Sequence, residues 1–108
     1  MKYLALGVLA AAGLSGAQDT QTFRGTITDD MCALGGHAAM RMGPTDAECA
    51  RLCVMIHGGA FVLDDGSHAY TLSDQARAEQ FAAQAVTVTG TLDAENGTIR
   101  VESIAAAR

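Results

Sequence analysis

Between Cys32 and His57 the chain concentrates the side chains that could do chemistry: Cys32, Cys49 and Cys53, His37 and His57, and Met40, Met42 and Met55. Thiolate, thioether and imidazole are the donors that zinc(II) and copper(I) sites use. The spacing is C-x4-H followed by C-x3-C-x3-H. It matches neither the C-x2-C-H of covalent haem attachment nor the C-x2-C pair of zinc knuckles and thioredoxin-like motifs. Cys49 and Cys53 stand one helical turn apart and can converge on one ion. His57 is separated from Cys49 by about 12 Å along a regular helix, too far to join them. The economical four-ligand set is therefore Cys32, His37, Cys49 and Cys53, with Met40 or Met42 in place of His37 for copper(I).

The same cysteines allow a different reading. In an oxidising compartment a disulfide from Cys32 to Cys49 or Cys53 would close a loop and stabilise so small a domain by about 3 kcal/mol, leaving one thiol spare. Met31 reads as packing, because methionine fills irregular gaps under loops. His57 reads as a partner of a helix C-terminus and His68 as a solvated turn residue. The pairs Asp29-Asp30 and Asp64-Asp65 read as turn formers. No G-x-S-x-G elbow, Walker loop or H-E-x-x-H helix is present, and no set of residues proposes a reaction. No catalytic residue is assigned.

The elements that must position these residues follow an N-terminal segment of another kind. MKYLALGVLAAAGLSGA has a basic residue, Lys2, an apolar run and the small-residue site Ser15-Gly16-Ala17, which predicts a signal peptide over residues 1–17 and export to the periplasm or the medium. The apolar run is shorter than the roughly 20 residues that span a bilayer, so no membrane span is expected. Residues 18–108 form one domain of about 90 residues, a size that often borrows stability from a disulfide or a metal. After processing, six arginines face twelve acidic residues, a net charge of −6. That balance argues against nucleic acid, whose binding needs cationic neutralisation. The few aromatics, Phe23, Phe61, Tyr70 and Phe81, argue against base or sugar stacking.

Residues 22–28 alternate, with Phe23, Gly25 and Ile27 on one side, as a half-buried strand does. Residues 29–44 have no sustained period and read as an ordered loop. Thr45-Asp46-Ala47-Glu48 is a capping box, and Gly58-Gly59 a stop, for a helix with Cys49, Leu52, Cys53 and Ile56 on one stripe. Residues 60–63 and 68–72 flank the turn Asp64-Asp65-Gly66-Ser67. Ser73 caps a second helix over residues 74–84 that buries Ala78, Phe81 and Ala82. AVTVTGTL points Val86, Val88, Gly90 and Leu92 inward, Asn96-Gly97 turns the chain, and residues 98–104 form the last strand before a frayed AAAR tail.

The segments D-D-M-C, H-A-A-M-R-M-G, E-C-A-R-L-C-V, A-F-V-L, Y-T-L and V-T-V-T-G-T-L together resemble a family of small secreted bacterial proteins of unknown function. The resemblance implies export and a small β-rich fold. From the strand order, the expected class is mainly β (α+β): a five-stranded OB-like barrel with a helix between strands 3 and 4 and an extra loop and helix after strand 1. The expected function is that of an exported, non-enzymatic binding module holding a soft metal such as zinc or copper. The alternative is a structural or interaction domain stapled by its cysteines.

Overall fold

Alternating residues need two environments, one on each face of a strand, and a closed sheet supplies both. A computed structural model of the chain describes residues 19–107. The expected signal peptide and its cleavage point lie outside the described residues. Five strands form: β1 (Gln21–Asp29), β2 (Phe61–Asp64), β3 (Ala69–Leu72), β4 (Ala85–Asp93) and β5 (Thr98–Ala106). They pair in the order β1-β2-β3-β5-β4, with β4 returning to β1, so the sheet closes into a ring. All contacts are antiparallel except the short β3–β5 contact, where Thr71 faces Thr98 and Leu72 faces Ile99.

The inward residues are those the alternation selects. Ile27, Leu63, Leu72, Val86, Val88 and Ile99 are fully buried, with Phe61 and Ile104 nearly so, and Phe23, Tyr70 and Leu92 pack around them. Gly90 stands where the β4–β5 register shifts. A Cβ there would collide with the Arg100 carbonyl, so only glycine lets the two strands approach at the bulge.

Two helices cover the ring: α1 (Asp46–His57), after the long loop, and α2 (Gln75–Glu79), between β3 and β4. Thr45 caps α1, its hydroxyl accepting from the Glu48 amide and donating to the Glu48 carboxylate. Gly58, in the left-handed conformation, ends the helix. Among the described residues no helix is long and apolar enough to cross a membrane.

Four local expectations need correction. The face that α1 buries is Cys49, Ala50 and Cys53, whereas Ile56 is 60% exposed. Small Ala50 brings the helix close to the ring, and the buried stripe turns toward it. The second helix is far shorter than residues 74–84, and Asp74 caps it, because Ser73 uses its hydroxyl to accept from the Val101 amide. Residues 80–82 continue in tight i→i−3 turns, and Ala83 takes a positive φ to donate its amide to the Ile27 carbonyl of β1. Ala78, Phe81 and Ala82 still pack on the core. The alanine tail is paired, not frayed: Ala105 and Ala106 face Thr87 and Val86, and the Ala107 amide donates to the Ala85 carbonyl. Met31 is 46% exposed, so it fills no gap.

Candidate metal centre

Strand β1 should bury every second residue, yet Ile27, Thr28 and Asp29 are all buried. The end of the strand is covered on both sides, outside by the loop and α1. Asp29 is fully buried. Its Oδ2 accepts from the amides of Met31 (3.1 Å) and Cys32 (3.0 Å), which turns the chain off the strand and fixes Cys32. The Cys32 carbonyl then accepts from Gly35 and Gly36, and the Leu34 amide donates to Asp64 of β2 at 2.8 Å. These bonds fold the loop back on itself.

His37 stands at the start of the short 3-10 turn Ala38–Met40 and returns toward the strand, with Nε2 hydrogen-bonded to Thr28 Oγ1 at 3.3 Å. Its Nδ1 lies 3.8 Å from Asp29 Oδ1, beyond hydrogen-bond distance. The side chains of both are more than nine-tenths buried. Among the described residues these two atoms, Asp29 Oδ1 and His37 Nδ1, are the buried side-chain polar atoms without a hydrogen-bond partner. Such atoms are costly unless something satisfies them.

Beyond the turn the loop reaches α1. Cys49 Sγ donates to the Met40 carbonyl at 3.5 Å and accepts from the Met42 amide at 3.3 Å. Cys49 and Cys53 are fully buried, Cys32 is 4% exposed, and Met42 packs against the three. The ligand atoms of Cys32, Cys49 and Cys53 all lie within 4.8 Å of one another. Those of Asp29, Cys32 and His37 do the same. Cys32 is common to both triads.

The four-ligand set expected from spacing is thus divided. The three sulfurs meet, while His37 joins Cys32 through Asp29 and not the sulfurs of α1. Met40 contributes its carbonyl, with its side chain 44% exposed, and Met42 contributes an amide and packing. Sequence reasoning missed Asp29, although its place three residues before Cys32, at the end of a strand, is an available signal. The disulfide from Cys32 to Cys49 or Cys53 is absent, and all three are free thiols. Their sulfurs are neighbours but not at the bonding distance of about 2 Å. His57 and His68 stand apart, exposed; His68 stacks on Tyr70.

Burial pushes the Cys32 thiol up to about 12, with the Asp29 carboxylate, its charge and its hydrogen bond, adding to the effect. Cys53 is raised by burial first, then by the charges of Asp29 and Cys49 and by hydrogen bonds with both. These are protonated, unreactive thiols at neutral pH, unlike the low-pKa thiolates of redox catalysts. A cation in their midst reverses that balance, since a coordinating thiol gives up its proton.

Comparison with known proteins reaches strands β2 to β5 but not β1 or the pocket. No curated protein and no solved structure matches the chain. A family model described as a protein of unknown function, DUF5818, matches residues 54–107. That is the half of the chain running from the end of α1 through β5. Asp29, Cys32, His37, Cys49 and Cys53 all precede the matched residues. The chain belongs to the family of unknown function DUF5818.

Proposed function

We propose that this chain is an exported, non-enzymatic binding module that takes up one soft d10 cation, zinc(II) or copper(I), through Cys32, Cys49 and Cys53. The observation that carries this reading is the meeting of three buried sulfurs within 4.8 Å, beside two buried polar atoms without partners. Sulfurs bound tetrahedrally to zinc stand about 3.8 Å apart, so contraction by about 1 Å at most suffices. The Met42 amide already donates to Cys49 Sγ, a contact that steadies a bound thiolate. Asp29 and His37 stand in the adjoining triad, which shares Cys32 with the three sulfurs.

The scaffold is OB-like in this reading. The ring order β1-β2-β3-β5-β4, the parallel β3–β5 contact and the helix between β3 and β4 support it. Export rests on the composition of residues 1–17. N-terminal sequencing of protein recovered outside the cytoplasm should begin at Gln18, and retained Met1 would refute it.

Intact-mass measurement of reduced protein, native and denatured, after titration with zinc(II) or copper(I), tests the site. One ion per chain is expected, with all three thiols shielded from alkylation until a chelator and a denaturant are added. Three alkylatable native thiols with no ion would overturn the metal reading. A disulfide in freshly exported protein would favour the stapled interaction domain.

A further inference from the structure

The three sulfurs are sealed, and an ion needs a way in. Cys49 and Cys53 are inaccessible, and the surface reaches the pocket only at Cys32. A cleft of about 230 Å³, lined by Thr26, Thr28, Cys32, His37 and Asp64, opens there and touches neither sulfur of α1. His37, its side chain 9% exposed, stands between cleft and pocket, with Nδ1 turned toward Asp29 Oδ1 and Nε2 held by Thr28.

We propose that Asp29, His37 and Cys32 form a receiving position through which the ion passes from this cleft to the three cysteines, with Cys32 holding it throughout. This rests on the metal reading above. A hydrated cation sheds its waters one at a time, and oxygen and imidazole donors replace them more readily than buried thiols can. The two unpartnered atoms, Asp29 Oδ1 and His37 Nδ1, supply such donors, and each of the two side chains brings a ligand atom within 4.8 Å of Cys32 Sγ. The ion then exchanges these two donors for Cys49 and Cys53 while its bond to Cys32 persists, and the thiol protons leave to water. A site with one shared ligand needs no step in which the ion is free in the interior.

A receiving position alters rates and leaves the equilibrium alone. The test is zinc(II) transfer to and from the reduced protein by stopped-flow competition with a chromophoric chelator, alongside the equilibrium constant from the same chelator. His37→Gln should slow uptake and release together by about tenfold, equivalent to about 1.4 kcal/mol on the shared barrier, and leave the equilibrium constant unchanged. Thr28→Val keeps the side-chain volume and frees Nε2, so it should slow both rates by less. Met55→Ala, on the exposed face of α1, should alter neither. Weaker zinc binding in His37→Gln with an unchanged uptake rate would make His37 a resident ligand and overturn the proposal. Unchanged rates in both His37→Gln and Thr28→Val would overturn it as well. If the wild-type protein binds no zinc(II) or copper(I) at all, the underlying metal reading fails, an outcome distinct from the other two.

Discussion

The interior of the ring and the pocket behind it are both buried, yet they are built from opposite materials. Inside the ring, Ile27, Leu63, Leu72, Val86, Val88 and Ile99 fill the space with aliphatic side chains. Their removal from water contributes roughly 1.5–3 kcal/mol each. Behind it, Cys32, Cys49 and Cys53 cluster beside a buried carboxylate and a histidine, with two polar atoms left without partners. The first region is satisfied by its own side chains. The second leaves three buried thiols and two orphaned polar atoms side by side. That contrast separates scaffold from site without reference to any known relative.

The largest effect that should follow is in the ring. Val88 is fully buried, and Val88→Asp places a carboxylate there with no partner, at a cost on the order of 4 kcal/mol or more. Circular dichroism should show loss of folding. Thr89→Asp, on the opposite face of the same strand, should retain the native spectrum. If both variants unfold, the two faces of β4 do not differ as the alternation requires.

The ring was readable from the sequence because β4 and the first part of β1 keep a period of two and the turns between strands have their own chemistry. Val86 and Val88 point inward as the pattern demands, and the Thr45–Glu48 box starts α1 where it should. What escaped was decided by distant partners. Residues 80–84 have helical composition, but Ala83 turns aside to bond Ile27 of β1. The alanines after Ile104 have little local preference and are held by pairing to β4. In the site, the one-turn spacing of Cys49 and Cys53 was legible, and so was their common face. The alliance of His37 with Asp29 was not, because it depends on the path of a loop through Gly35 and Gly36, and such loops carry no period.

A smaller effect tests how firmly the pocket is joined to the ring. The Thr45 hydroxyl caps α1, which carries two of the three cysteines and inserts Ala50 into the main core. Thr45→Ala should cost about 1 kcal/mol. If α1 opens on its own, amide exchange in α1 should accelerate about fivefold while β4 is unchanged. Equal acceleration in both would show that the helix and the ring unfold as one unit.

The smallest effect lies in the turn between β2 and β3. The Asp65 carboxylate accepts from the amides of Ser67 and His68, both through Oδ1, at 2.8 and 2.7 Å. Those backbone donors, and the nearby His68 ring, hold Asp65 below its ordinary value of 3.8. Folding therefore favours the ionised form, and the stabilisation is fully present above that ordinary value. It fades as pH falls through the lower, folded-state value, where the folded protein too takes up the proton. Asp65→Asn keeps an acceptor oxygen but removes the charge, so urea denaturation should find the variant slightly less stable at neutral pH. The difference from wild type should shrink toward zero at strongly acidic pH. A difference that stays constant across the acid range would mean that the turn depends on the shape of residue 65 and not on its charge.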